Sequence, residues 1–446
     1  MSGRNSKNSP HQVGLMIAIA LVVGNMVGSG VFLLPSSLAS FGGISILGWL
    51  FTAAGAITVA LMLARLGKMM PAAGGPYAYT RRGLGNLAAF LVAWGYWISI
   101  WSGNAAISVA FVGYMAAFFP VLAENPAMGA GAALAAIWLL TGVSCLGVRE
   151  AGIVQVVTTI LKLLPLIAIG TLGLLYLDPG NFRPFNPSGE TPFNAITATA
   201  ALTLWAFTGL ESATIPADSV KDPARTIPRA TIIGTLVAAA IYLLATVGVM
   251  GILPASDLAN STAPFADAGR AIWGSWAGSL IAAGAAISAF GALNGWVLLQ
   301  GQWPMAAARD GLFPSVFGRL SRRGTPVAGI VISSLLVTGL IALNFTASLV
   351  EQFTFIILLA TLSTLIPYVF SAVAELVIFV RERENFKGER LAGASVIAVL
   401  ALLYSLWAIS GTGRDTVLWG FVLMLAGLPI YWWQSRKIRV VTEDPV

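Results

Sequence analysis

The sequence predicts an all-α membrane protein of twelve transmembrane helices, and three observations carry that prediction. Of 446 residues 57% are hydrophobic and only 10% charged, where a soluble domain carries about 25% charged residues. Apolar runs about as long as a bilayer is thick recur along the whole chain. Lysine and arginine, finally, gather in alternate connections between those runs.

Windows of roughly 20 apolar residues fall at 13–34, 43–66, 85–118, 127–147, 152–176, 193–216, 229–252, 272–304, 326–344, 350–380, 392–410 and 416–434. The first run exceeds a signal-peptide core and is followed by many like it, so it reads as a retained helix. The tail 1–12 and the connections after spans two, four, six, eight and ten hold most basic residues, among them Arg4, Lys68, Arg82, Arg149, Arg225, Arg309, Arg323 and Arg381. The opposite connections hold Arg183, Arg270 and Arg414. Cytoplasmic loops keep the positive charge, so both termini are expected in the cytoplasm. The longest polar connections, such as 305–325, are too short to fold as a domain, which leaves the function to the membrane part.

The formal net charge of +7 would suggest nucleic acid if it formed one patch on a soluble face. Spread between apolar runs it reports topology instead, and no nucleic-acid partner is expected. One cysteine, Cys145, and one histidine, His11, allow neither a disulfide framework nor a Cys/His metal cluster. No metal and no cofactor are expected.

Two spans carry signs of a break. Gly24-Asn25-Met26-Val27-Gly28-Ser29-Gly30 places three glycines in the first, and Trp205-Ala206-Phe207-Thr208-Gly209-Leu210-Glu211 places a glycine and an acid in the sixth. Irregular backbone at membrane depth must line a cavity or be buried in protein, although a single glycine there serves close packing equally well. Spans one and six enter the membrane from opposite sides. Two five-span units related in this way bring discontinuous helices together near the midplane. There freed N–H groups attract a carboxylate and freed carbonyls attract a cation, as the backbone of a zwitterionic amino acid requires.

Three charges lie well inside spans: Lys162, Glu211 and Glu375. Each costs about 2.5–3.5 kcal/mol at a helix centre. Glu211 beside a break reads as an acid that exchanges protons with substrate binding, or as a protonated acid bonded to freed backbone groups. Lys162, roughly 15–20 Å deep at 1.5 Å per residue, reads as a charge joining two helix bundles; the alternative is a stem snorkelling to the surface. Glu375, near Arg381, reads as a solvated or paired residue at a helix end and stays outside the site. Trp205 and Trp296 offer faces to a cation, though most of the fourteen tryptophans belong to packing and interfaces. Asn104 on general grounds is interhelical glue.

Four stretches, Gly28-Ser29-Gly30-Val31-Phe32-Leu33-Leu34-Pro35, Pro71-Ala72-Ala73-Gly74-Gly75-Pro76-Tyr77-Ala78-Tyr79, Lys221 to Ala230, and Asp310-Gly311-Leu312-Phe313-Pro314, resemble the amino acid, polyamine and organocation (APC) transporter superfamily. Through Leu204 to Ser212 and Gly295-Trp296-Val297-Leu298-Leu299 the chain is most similar to its bacterial basic amino acid and polyamine antiporters, such as arginine/agmatine exchangers. The resemblance implies a LeuT-like core over 13–380, with inverted repeats 13–176 and 193–380. Helices over 392–434, of the sort that mediate homodimers, and a cytoplasmic tail 435–446 complete it. It implies alternating access in a bacterial inner membrane, with an amino acid or amine substrate and the lipid bilayer as partners.

Carried over by position, Ser29 and Gly30 resemble the groups that hold the substrate carboxylate, and the carbonyls of Met26, Trp205 and Thr208 those that take the α-ammonium. Asn104, Trp205 and Trp296 resemble residues around the substrate side chain. Tyr77, Tyr96 and Trp296 resemble gating aromatics, and Glu211 a proton-sensitive acid. Ile100 and Ile107 stand where the antiporter has a cysteine and a methionine, and Lys162 resembles the lysine of proton-coupled carriers. Cationic exchange and sodium-independent or proton-coupled transport of neutral amino acids both stay open on these residues. A membrane enzyme lacks its base, nucleophile and ligand clusters, and a passive channel lacks a polar stripe.

Overall fold

The computed structural model of the chain describes residues 14–70, 75–146, 163–210, 222–382 and 391–443. These residues form helices and connections, with no strand among them. In chain order the helices used below are α1 Leu15–Met26, α2 Ser45–Met69, α3 Gly75–Leu84, α4 Asn86–Ala116 and α5 Pro126–Leu146. Then come α6 Leu163–Tyr176, α7 Pro192–Leu204, α8 Pro223–Ile252, α9 Pro264–Trp273 and α10 Ser275–Arg309. Last are α11 Val327–Asn344, α12 Leu349–Arg381, α13 Leu391–Ser410 and α14 Arg414–Glu443.

Among the described residues eight helical stretches are long and apolar enough to cross a bilayer, and α6 and the apolar part of α13 are shorter ones. Leu403, Leu418, Trp419, Phe421 and Leu425 on the last two helices are exposed, and in water such faces would associate. The chain is a multi-pass membrane protein.

Helix starts follow local chemistry. At α7 the Thr191 hydroxyl accepts from the Asn194 N–H and Pro192 takes the first turn, where a missing N–H costs nothing. At α12 the Ser348 hydroxyl accepts from Glu351 N while the Glu351 carboxylate accepts from Ser348 N, a capping box.

Packing divides most of the helices into two groups. Helices α1, α2, α7 and α8 pack together, as do α4, α5, α10 and α11; α12 leans on α4 and α3, α13 on α12 and α2, and α14 on α12 and α4. Helix α4 lies deepest: 89% of its apolar window is buried, against 17% for α14. Small residues permit this. A side chain at Gly95 would meet the Ser363 carbonyl of α12 at 3.3 Å, the close backbone approach expected between membrane helices, and one at Gly113 would meet the Thr262 carbonyl of a connection at 2.6 Å.

The sequence-based boundaries miss several features. Residues 29–44 run through short turns, Ser29–Phe32, Leu34–Leu38 and Ala39–Ile44, before α2 begins. The connections expected after spans two and seven contain α3 and α9, whose charged residues Arg81, Arg82, Asp267 and Arg270 hide them from an apolar window. Helix α14 runs on to Glu443 through residues expected as tail, because Gln434 to Glu443 includes no helix breaker.

Candidate functional site

Both predicted breaks are present, and each has a local cause. Helix α1 stops at Met26; Val27 takes φ −70°, ψ 74° and Gly28 N donates to Met26 O at 2.6 Å, the geometry of an inverse γ-turn. The chain then re-enters a 3-10 turn at Ser29. Helix α7 stops at Leu204 and continues as one 3-10 turn, Trp205–Phe207. Thr208 is extended, and Gly209 takes φ +99°, a left-handed region that glycine enters without steric cost. The Thr208 N–H at 3.2 Å and its hydroxyl at 2.8 Å both donate to Trp205 O. A carbonyl has two lone pairs, so that of Trp205, expected to face an ammonium, is here already occupied.

The two breaks pack on each other, the first also on α4 and the second on α8 and α12, and a small cavity lies among them. Met26, Gly28 and Val31 come from the first break, Trp205, Ala206 and Thr208 from the second, and Trp296 from α10. Helix α4 contributes Tyr96, Ser99, Ile100, Gly103 and Ile107, residues three or four apart that share one face. Gly103 makes room for the Trp205 indole, whose Cη2 would lie 2.7 Å from an added methyl group. Ser99, which the sequence did not single out, shares a 2.5 Å hydrogen bond with the Thr364 hydroxyl of α12.

Of the expected substrate and gating residues, Met26, Tyr96, Trp205, Thr208 and Trp296 thus border one cavity. Ser29 and Gly30 begin the turn that follows Gly28. Asn104 does not border it. Fully buried, its Nδ2 donates to Gln300 Oε1 at 2.7 Å, and Gln300 Nε2 donates to Ile330 O at 3.1 Å and Ser334 Oγ at 2.8 Å. Ser334 also bonds Thr141 at 2.6 Å, while Ser333 accepts from the Trp97 indole at 2.8 Å and donates to Gln300 O at 3.1 Å. This polar cluster joins α4, α5, α10 and α11 behind the cavity wall. Gln300, an uncharged amide close to the end of a predicted span, gave no clear signal in the sequence.

Tyr77 also stands off the cavity, at the far end of an aromatic column. The Tyr96 and Trp303 rings are 4.5 Å apart, Trp303 and Tyr77 meet edge to face at 5.5 Å, and the Trp303 indole donates to Ala93 O. The Tyr77 hydroxyl donates to Asp310 Oδ2 at 2.6 Å. Burial, first, and the adjacent Asp310 carboxylate hold its proton well above the ordinary phenol range, so it acts as a donor. Glu211 and Lys162 lie outside the described residues. Glu375 is fully buried and paired with Arg65 at 2.5 Å, and the Arg65 guanidinium also lies 5.6 Å from the Phe379 ring centre.

Among the described lining residues there is no carboxylate, ammonium or guanidinium, and among the described residues no acidic, histidine or cysteine cluster could hold a metal ion. The chemistry on offer is recognition by backbone, hydroxyls and aromatic faces. Residues 13–432 match the family model for amino acid permeases. The chain belongs to that family. This permease is 33% identical over 440 residues to the cadaverine/lysine antiporter of Escherichia coli K12, with 97% of the chain and 96% of the relative covered. It is 32% identical over 438 residues to the putrescine transporter PotE of Haemophilus influenzae, covering 98% and 99%. The permease is therefore an amino acid or polyamine transporter of the APC superfamily.

Proposed function

We propose that the permease exchanges cationic amino acids for amines by alternating access. The observation that carries this reading is the meeting of two helix breaks at one cavity walled by Trp205, Trp296 and Tyr96. Aromatic faces attract a desolvated cation by about 0.5–2 kcal/mol, and helix breaks at membrane depth are where transporters of this construction hold substrate. The relatives named for lysine, cadaverine and putrescine support the same class, and arginine with agmatine is the pair we assign to be tested beside them.

In this reading the Ser29 and Gly30 N–H groups take the substrate carboxylate, and the carbonyls at Met26 and Thr208 take its ammonium. The carbonyl of Trp205 joins them once Thr208 releases it. Tyr77, Tyr96 and Trp296 gate the path, with Asn104 reaching the side chain after exchange of its Gln300 bond. Glu211 and Lys162 carry the coupled proton. Twelve crossings, built as two inverted five-span repeats and two last helices that pair copies of the chain, place both termini in the cytoplasm of a bacterial inner membrane.

Ile100 and Ile107 on the wall favour a second reading, a sodium-independent carrier of neutral amino acids. Sodium-free proteoliposomes loaded with lysine, arginine, cadaverine, agmatine, alanine or nothing, with and without a pH gradient, separate the two. Uptake of radiolabelled lysine or arginine that needs a cationic interior establishes the exchanger. Alanine uptake driven by the pH gradient, with no cationic exchange, replaces it with the second reading.

A further inference from the structure

The two hydroxyl groups that border the cavity on aliphatic side chains have their single protons committed elsewhere. Thr208 donates to Trp205 O at 2.8 Å. Thr364, buried on α12, donates to Ala360 O at 3.0 Å, so it has no proton left for Ser99. A hydroxyl carries one donor and two acceptor lone pairs. In the 2.5 Å bond between Ser99 and Thr364, Ser99 is therefore the donor, and what its oxygen keeps for the cavity is acceptor capacity alone. Ser99 sits on the α4 wall of the cavity, where the far end of a substrate whose backbone lies at the breaks would reach.

We propose that Ser99 is a specificity-determining residue which accepts a hydrogen bond from the side-chain nitrogen of the substrate, its polarity set by Thr364 as a positioning residue. The substrate class is an ammonium or guanidinium that still carries N–H. A neighbouring Trp296 ring recognises positive charge of any kind, whereas Ser99 separates cations with a donor from those without one. Removing a buried acceptor leaves the substrate N–H unpaired, which is costlier than removing an apolar contact. The inference rests on the cationic reading given under the proposed function, and its test is built to fail separately from it.

Titration calorimetry of the purified full-length permease with lysine, Nε-trimethyllysine and norleucine provides that test. Trimethyllysine keeps the charge and loses every side-chain donor; norleucine loses both. Ser99→Ala is expected to weaken lysine binding about tenfold, in line with a bond to a charged group, and to leave trimethyllysine within twofold, which also reports that the variant is folded. Thr364→Val, which leaves the Ser99 hydroxyl in place but frees its proton to point at the substrate, is expected to weaken lysine in the same selective way, and Thr364→Ser to restore it. Equal losses for lysine and trimethyllysine in Ser99→Ala, or wild-type lysine affinity in Thr364→Val, overturn the inference and leave the cationic reading standing. A wild-type permease that binds norleucine and neither lysine nor arginine overturns both.

Discussion

Helix α4 presents two faces of different character. Its cavity face carries Tyr96, Ser99, Ile100, Gly103 and Ile107, a sparse arrangement with one aliphatic hydroxyl, one phenol and space for an indole. Its other face carries Trp97 and Asn104, locked to Ser333 and Gln300 in a cluster that reaches Ser334 and Thr141. Unpaired polar groups in an apolar interior cost several times what a paired one gains. The rear face ties the Trp97 indole and the Asn104 amide into contacts that hold four helices in place, and the front face shares its Ser99 hydroxyl between Thr364 and the cavity. One helix can be both scaffold and site because consecutive residues point about 100° apart.

The largest test of this division lies at the rear. Gln300→Ala leaves the buried Asn104 amide without its acceptor, and the loss of about 1–3 kcal/mol for such a buried group should lower the thermal unfolding midpoint in detergent by several degrees. An unaltered midpoint with altered selectivity between lysine and arginine would reverse the roles of the two faces. Next comes Gly103→Ala. Its methyl group needs the 2.7 Å space next to Trp205 Cη2, and displacing the indole into the cavity should weaken binding about tenfold, an overpacking cost at the low end of 1–3 kcal/mol. A midpoint close to wild type would distinguish this change from the rear-face variant.

Trp296→Leu should be milder. Losing an aromatic face worth about 0.5–2 kcal/mol to a cation should weaken lysine a fewfold or more and spare norleucine, as read by calorimetry. Smallest is Tyr77→Phe, which keeps the ring against Trp303 and removes only the hydroxyl bonded to Asp310. Because the folded phenol releases its proton above its ordinary value, its contribution is complete below that value of about 10 and is lost only as pH rises beyond it. The small difference in unfolding midpoint between wild type and Tyr77→Phe should thus be constant from pH 6 to pH 9. A difference that shrinks toward pH 9 would show that the bond is not made by a protonated phenol.

The sequence disclosed these features unequally, for physical reasons. The breaks were legible because glycines at Gly24, Gly28 and Gly209 in apolar runs leave the backbone few ways to stay paired in lipid. Membrane character was legible from composition alone. Trp205, Trp296 and Tyr96 became candidates through motif resemblance, since nothing intrinsic separates a ligand-facing tryptophan from a packing one. Ser99 and Thr364 were silent: a hydroxyl in an apolar helix ordinarily bonds back to its own turn, as Thr364 does to Ala360, and only the partner across the helices gives Ser99 its meaning. Gln300 was silent because polar residues near a span end need no explanation. Helices α3 and α9 were missed because charge excludes them from an apolar window.

The uncharged lining of the cavity has an electrical consequence. Among the described lining residues no side chain brings a fixed charge, and the half-buried Arg65 and buried Glu375 cancel each other as a pair. The voltage across the membrane then acts on cargo rather than on these walls. Counted on cargo alone, a monovalent amino acid traded for a divalent amine moves one net charge per cycle, coupled to about 2.3 kcal/mol for each 100 mV, and a coupled proton would add its own. Trading two monovalent cations moves none and runs on concentration alone. With no charge among the described lining residues, the choice of cargo bears on whether a cell at its resting potential drives the exchange or merely permits it.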